Sequence, residues 1–415
     1  MMADTYVNGS AKIIKIGSRD SELAKLQSNI VIDQLRKHDV SSKFKFDLVT
    51  MKTIGDQILD KPLAKTGEKN LFTRELESAL HEGTIDMIVH SLKDLTTSLE
   101  EYFEIGAVMK RESPNDAVVL RKSLTISTES DYKSLNDFPD GFRIGTSSLR
   151  RTAQLSRKYP NLLFSSIRGN LNTRLRKLDQ GDLYDAIILA EAGLDRLGWK
   201  PRVSFVLDPK IDDSCLYAVG QGALAIEIRK DDENIASIIR CLNHRETVLR
   251  CLAERSFLRL LDGGCSTPIG VTSSIEEVLT ENSIENSWKM SLTGRVLSLN
   301  GEQIIESRRD CNYLKHEITS KGHNITSSGD EIDHKTAKLE FELTGFHKLL
   351  IDDLNSLMEA SLLGQSLADD LLAQGAKKLL DDCKETIRNE VLNGKMNPQQ
   401  TQNTKHNKLK SENAT

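Results

Sequence analysis

The chain has no CxxC pair and no apolar run near the roughly 18 residues that span a bilayer, and it has no glycine-rich nucleotide fingerprint. Each absence closes a class. The six cysteines (Cys215, Cys241, Cys251, Cys265, Cys311, Cys383) are scattered through 415 residues. That excludes a disulfide framework and fits reduced thiols in the cytoplasm. No His/Cys/Asp cluster has metal-ligand spacing, so no metal is expected. The first residues, MMADTYVNGS, carry neither an apolar h-region nor an Arg-rich amphipathic pattern, so neither a secretory signal nor a transit peptide is expected. There is no GxGxxG, no P-loop and no Ser-His-Asp order; the Gly220-Gln221-Gly222 turn is too short a signal for a nucleotide site. Self-similarity at a solenoid period is also missing. A net charge of −5 argues against a general nucleic-acid binder.

One stretch runs against that mild acidity. Between Arg143 and Lys177 there is no Asp or Glu, yet Arg143, Arg150, Arg151, Arg157, Lys158, Arg168, Arg174, Arg176 and Lys177 all fall within it. Thr146-Ser147-Ser148 reads as a strand end and helix N-cap, with Arg150 and Arg151 in the first turn. Arg168-Gly169-Asn170 reads as a second strand-to-helix turn, with Arg174 one turn on. Helix N-termini offer unpaired N–H groups and partial positive charge, and Arg adds a planar fork of donors. The pattern suits an anion-binding cleft; the plainer alternative is a solvated basic face.

The rest of the chain alternates strand and helix. Ile13–Ile16 is a strand leading to a helix from about Ser21 to Lys37, capped by Ser21 or Asp20. Phe44–Met51 alternates as a strand, and residues 52–70 form a long polar loop. Phe72–His81 reads as a helix, Ile85–His90 as a buried strand, and Phe103–Met109 and Ala117–Leu120 as further strands. Residues 122–140 form a linker or excursion. Strands Phe142–Gly145, Leu162–Ile167, Asp185–Ala190 and Ala223–Ile228 follow. This predicts α/β domains with largely parallel pairing, and ligands at the carboxyl ends of the strands. From about Asn243 the texture changes. An amphipathic helix spans Thr247–Leu261, strands lie near Trp288–Leu297 and Glu302–Asp310, and a helix near Leu367–Leu372 continues towards Leu380. Residues 312–335 read as an exposed insertion, and the tail from about Asn393 as disordered.

Single residues remain ambiguous. Asp94 follows a buried strand; it is a charge stabiliser, a proton shuttle or a turn carboxylate. Lys93 grips an anion or is solvated. His90 ends an apolar run and suits a satisfied buried histidine. Cys265 alone sits in a glycine turn, where Gly263 and Gly264 leave room for a bulky group at its sulfur; a structural thiol is the alternative.

Six separated motifs, in order, resolve the ambiguity. They are Ile16-Gly17-Ser18-Arg19, Val89-His90-Ser91-Leu92-Lys93-Asp94, Gly145-Thr146-Ser147-Ser148-Leu149-Arg150-Arg151, Ile167-Arg168-Gly169-Asn170, Val219-Gly220-Gln221-Gly222 and Gly263-Gly264-Cys265-Ser266. Together, from about Ile13 to Asp382, the chain resembles the porphobilinogen deaminase (hydroxymethylbilane synthase) family of haem biosynthesis. The resemblance implies an α/β fold of three domains. Two are periplasmic-binding-protein-like α/β lobes with an active-site cleft between them, and the third is a smaller C-terminal α/β domain. The implied boundaries are 12–116 with a return segment 219–238, then 117–218, then 239–390 carrying the cofactor cysteine, then a tail at 391–415.

The implied reaction joins four porphobilinogen units head to tail, releasing ammonia each time. It proceeds on a dipyrromethane primer held by a thioether, here implied at Cys265, and ends in hydrolysis to hydroxymethylbilane. Each pyrrole carries an acetate and a propionate, so the product chain is a polyanion. Deamination leaves an azafulvene-like cation, and Asp94 matches the family carboxylate that would stabilise it. Lys93, Thr146, Ser148, Arg150, Arg151 and Arg174 match residues that hold the primer. Arg19, Ser21, Arg168 and Arg196 match those that hold substrate or the growing chain. Neither nucleic acid nor membrane is an expected partner, and a monomer is the family expectation. The rival readings are a non-catalytic solute-binding or regulatory protein on the same bilobal fold, and an RNA binder using 143–177. The chain departs from the family at Thr96, where Pro is frequent, and at Asp20 and Glu22, which put two negative charges near the expected substrate entrance.

Overall fold

The computed structural model describes residues 12–38, 43–53, 73–126, 132–264, 267–278, 287–314, 344–347 and 354–392. The expected loop beyond Thr53, the insertion beyond Leu314, the tail beyond Leu392 and Cys265 lie outside the described residues.

The first sheet begins with β1 (Lys12–Arg19), which alternates before its last residues turn inward. The chain then meets Ser21, whose hydroxyl accepts a hydrogen bond from Ala24 N at 3.2 Å and starts the helix Glu22–Lys37. Glu22 in its first turn and Arg36 and Lys37 in its last follow the helix dipole. β2 (Phe44–Met51), β3 (Met87–Ser91) and β4 (Phe103–Val108) follow, with the helix Arg74–His81 before β3. β1 pairs in parallel with β2 and β3. Beneath them Ile14, Ile16, Met87 and Val89 pack on Val31, Ile32 and Leu35 of the first helix. Each such fully buried side chain contributes about 1.5–3 kcal/mol.

The second sheet comprises β5 (Asp116–Leu120), β6 (Arg143–Gly145), β7 (Leu163–Ser165), β8 (Ala186–Ala190) and β9 (Phe205–Leu207), in the order β7-β6-β8-β5-β9. Helices Leu149–Lys158, Leu171–Gln180 and Glu191–Arg196 leave the ends of β6, β7 and β8. Ser148 and Asn170 cap the first two, accepting from Arg151 N (3.4 Å) and Thr173 N (2.9 Å). The sequence pattern thus places the two helix starts at the carboxyl ends of strands.

β10 (Leu224–Arg229) then returns to the first sheet and lies between β3 and β4, giving β2-β1-β3-β10-β4. It is antiparallel to both neighbours, as β5 is to β8 and β9. The expected largely parallel pairing is therefore corrected to a mixed one. The chain leaves the first lobe through β4 and comes back through β10, so these two strands run in opposite senses.

The third unit packs the helix Arg245–Leu260 and the helix Leu354–Ala373 on an antiparallel sheet of β11 (Ile269–Val278), β12 (Ser287–Leu297) and β13 (Ile304–Leu314). β11 has no counterpart in the sequence reading. The expected single helix towards Leu380 is two, Leu354–Ala373 and Ala376–Leu392, broken where Gly375 adopts φ +98°. Gly364 allows the two long helices to touch: a Cβ there would lie 2.1 Å from Ala253 O. Residues 344–347 run beside β4, with Ile105 N donating to Gly345 O (2.7 Å) and His347 N to Ile105 O (3.0 Å).

Candidate active site

The residues that matter sit where strands end. Arg19 closes β1, and Ser21, two residues on, is spent as a helix cap. Beyond β3, Leu92–Asp94 makes one turn of 3₁₀ helix that buries Leu92 and leaves Asp94 exposed. Lys93 is half-buried, and its Nζ donates to Gln221 Oε1 at 3.4 Å. On the second lobe, buried Thr146 follows β6, and its hydroxyl accepts from Ser148 N at 3.3 Å. Arg168 and Arg174 flank the turn after β7; Arg174 Nε donates to Gly169 O at 2.8 Å.

Arg150 and Arg151 are buried, and a carboxylate accounts for both. Asp116, the first residue of β5, accepts from Arg150 Nη1 (2.8 Å) through one oxygen and from Arg151 Nη2 (2.7 Å) through the other. Arg150 also donates to Leu216 O (2.6 Å) and Arg151 to Ile188 O (2.7 Å). Burial alone would raise the Asp116 carboxyl, but the two guanidinium groups override it and hold it far below the usual carboxylate range. The neighbouring Cys215 thiol is pushed up to about 12, by burial first and by Asp116 second.

The basic run thus divides. Arg143 is held by Asp185, Lys158 by Asp212, and Arg157 by the carbonyls of Gly301 and Glu302 in the third unit. These cations serve the fold. Arg150 and Arg151 form a dry cluster with Asp116, and Arg168 and Arg174 lie in the same electrostatic neighbourhood.

Residues from both lobes share one electrostatic neighbourhood. Burial drives the Lys93 ammonium down, Asp94 opposes that, and Arg151 and Arg150 add to it. Burial likewise holds Arg174 down to about 10, helped by Arg151 and Arg168 and opposed by Asp94. Arg196 reaches the same region from the helix after β8: Nη2 donates to Gly222 O (2.7 Å), and Nε lies 2.9 Å from Glu112 Oε2. Lys93, Arg150, Arg151, Arg168 and Arg174 gather here, with Asp94 and Asp116 opposing them.

On either side of Cys265 the turn is defined. Thr267 Oγ1 donates to Gly264 O (2.7 Å) and accepts from Gly264 N (3.0 Å). The two glycines differ. Among the described residues a Cβ on Gly264 would meet nothing within 4 Å, whereas one on Gly263 would strike Leu258 at 2.5 Å and Ile269 at 2.7 Å. Gly263 is needed for packing. His90 is buried with Nε2 2.8 Å from Glu227 Oε2.

Two residues were missed in the sequence. Asp116 opens an otherwise apolar buried strand, DAVVL, and a carboxylate there demands a cationic partner; the acid-free run was the place to look for it. Gln221 sits in the glycine turn that carried no signal of its own.

Two mixed α/β lobes joined by paired crossovers, with a third unit packed beside them, define a three-unit α/β protein in which the Lys93 end of β3 lies in the field of the second lobe's arginines. Residues 14–237 match the family model described as porphobilinogen deaminase, dipyromethane cofactor binding domain, and residues 248–319 match that of its C-terminal domain. The chain belongs to the porphobilinogen deaminase family. A porphobilinogen deaminase of Gloeobacter violaceus is 48% identical over 300 residues, covering 72% of this chain and 85% of that protein. That of Synechococcus elongatus is 41% identical over 385 residues, covering 93% and 100%. That of Kluyveromyces lactis is 44% identical over 317 residues, covering 75% and 88%.

Proposed function

We propose that the chain is a hydroxymethylbilane synthase. It condenses four porphobilinogen molecules head to tail with loss of ammonia on a covalent dipyrromethane, then releases hydroxymethylbilane. The observation that carries this reading is the Lys93–Asp94 step at the end of β3, sharing its field with Arg151 and Arg174 of the opposite lobe.

The residues fit the cofactor chemically. Dipyrromethane bears several carboxylates, and the cluster gathers Lys93 with several arginines; Arg151 Nε is buried and, among the described residues, has no hydrogen-bond partner. Lys93, Thr146, Ser148, Arg150, Arg151 and Arg174 would hold it, with Cys265 as its anchor. Arg150 and Arg151 share Asp116, so Arg150 acts by fixing Asp116 and Arg151 while Arg151 and Arg174 offer the forks. When bound, the group supplies the free pyrrole carbon to which each unit is added. Arg19, Ser21, Arg168 and Arg196 would hold substrate and chain. Asp94 places one negative charge at the base of the site, where the cation left by deamination develops. Each desolvated Arg–carboxylate pair contributes about 1.5–3 kcal/mol, so a few such pairs hold a polyanion without a large apolar pocket.

The boundaries 12–116 with 219–238, 117–218 and 239–390 are our working domain division, with Asp116 belonging to the second sheet. No helix among the described residues is long and apolar enough to cross a membrane. We take the cytoplasm as the compartment, a monomer as the working state, and nucleic acid as no partner.

Intact mass of the purified protein, with turnover of porphobilinogen, tests the reading. A mass increment matching dipyrromethane, absent in Cys265→Ser, is expected. No increment on the wild-type chain would overturn it in favour of a non-catalytic solute binder.

A further inference from the structure

We infer that Gln221 is a positioning residue for the reaction: its buried amide holds the Lys93 ammonium beside Asp94 in one lobe and Asp116, the anchor of Arg150 and Arg151, in the other. This rests on the reading of Lys93 and Asp94 as groups of the active site.

Gln221 is 1% exposed. Its Nε2 donates to Asp116 Oδ1 at 2.8 Å and Pro114 O at 2.6 Å, with Asn115 O at 3.3 Å. Its Oε1 accepts from Lys93 Nζ at 3.4 Å. The orientation of the amide follows from its surroundings: three acceptors face one end and an ammonium faces the other. Pro114 and Asn115 lie on the outgoing crossover between the lobes, and Gln221 lies on the returning one. One side chain therefore links both crossovers, the first-lobe lysine and the second-lobe arginine cluster.

The backbone beneath it is fixed. Gln221 O accepts from Arg111 Nε at 2.7 Å, and Gln221 N donates to Ala218 O at 2.9 Å. Gly220 and Gly222 adopt φ +70° and +89°. A Cβ on Gly222 would lie 2.6 Å from Glu112 O and 2.8 Å from Ser113 O, so only glycine lets the crossovers touch here. Gly220 N donates to Glu254 Oε2 at 2.8 Å, which ties the turn to the third unit.

The chemistry selects an amide. Asp116 needs a further donor but no further charge, and Lys93 needs an acceptor that does not neutralise it. A glutamate would set a second carboxylate against Asp116. A methionine would have the same length and neither bond. Lys93 is already pushed down by burial and by Arg151 and Arg150, so the dipole of the Gln221 carbonyl bears directly on its protonation.

The test compares the full-length wild-type holoenzyme with Gln221→Met and Gln221→Glu. Lys93 is titrated by competitive acetylation across pH, read by peptide mass spectrometry well below the unfolding temperature. The expected order of apparent Lys93 pKa is Glu above Gln above Met. For Gln221→Met, kcat should fall on the order of tenfold to a hundredfold with a smaller change in KM, as for a misplaced catalytic group. The same Lys93 titration in all three folded chains, or an unchanged kcat in Gln221→Met, overturns the inference. Should Gln221→Met not fold, Gln221→Asn carries both readouts, because it keeps the amide one methylene short. A wild-type chain without primer or turnover would overturn the proposed reaction and this role with it, whereas a wild-type chain with both and variants indistinguishable from it would overturn the role of Gln221 alone.

Discussion

Glu22 of the first lobe accepts a hydrogen bond from the side chain of Asn172 in the second, Nδ2 to Oε2 at 2.5 Å. The contact joins the first turns of the helices Glu22–Lys37 and Leu171–Gln180, one from each lobe. Asp20 beside it is matched by Lys25 at 3.2 Å. Both negative charges expected near the substrate entrance are thus engaged, and Glu22 serves to bring the lobes together. Glu22→Gln keeps the hydrogen bond and removes the charge. Two unit charges about 4 Å apart in water interact by about 1 kcal/mol, so KM for porphobilinogen should fall by up to about fivefold at low salt. The gain should fade as the Debye length shrinks. KM measured against ionic strength checks this; an unchanged KM at low salt would show that the Glu22 charge does not reach the substrate.

Arg111 and Glu254 are both buried and form a two-pronged pair at 2.6 and 3.0 Å. Glu254 also accepts from Gly220 N and from the Ser273 hydroxyl, so a helix of the third unit grips both crossovers. Glu254→Ala leaves Arg111 buried and unmatched. Loss of one partner of a buried pair costs about 3–5 kcal/mol. Urea unfolding measures it, and a loss below about 1 kcal/mol would show that the crossovers hold without the pair.

The sequence revealed periodic elements and strand-end sites more readily than their partners. β2 has the expected limits because its alternation is uninterrupted. The helix Leu354–Ala373 is legible only from Leu367, because Gly364 and three serines interrupt the stretch before it; their reason lies across space, where Gly364 meets Ala253 O and Ser361 meets Ser256. Ser148 and Asn170 were legible as caps because a cap is a local event. Asp116 was not, since its arginines lie 34 and 35 residues away. Local chemistry announces where cations gather, while the counter-ion that decides what they do comes from another strand.

Glu77, buried under the first sheet, makes stability depend on pH in an unusual direction. Burial, then Glu227, raises its carboxyl from 4.5 to about 7, against Thr73 and His90. The folded chain therefore keeps a proton that the unfolded chain releases. Between about pH 4.5 and 7 the folded state binds more protons, so this group makes stability fall as pH rises. Glu77→Gln should flatten that slope and stabilise the protein at pH 8 by up to about 3 kcal/mol, with no gain below pH 4.5, where both states are protonated. Unfolding free energies at pH 4.5, 6 and 8 test this; an equal effect at all three would mean a packing change.

Asp94 is the residue whose removal should cost most in turnover and least in stability. It is exposed, and among the described residues it has no hydrogen-bond partner; its influence on Lys93 and Arg174 is through charge alone. Asp94→Ala should therefore unfold within about 0.5 kcal/mol of wild type. Turnover should drop by about a hundredfold to a thousandfold, the loss typical when one group facing a developing charge is removed. Asp94→Asn separates charge from shape. An equal loss in both variants assigns the carboxylate to the cation formed as ammonia leaves. If Asp94→Asn keeps near-normal turnover, charge stabilisation belongs elsewhere in the cluster and Asp94 is a turn residue.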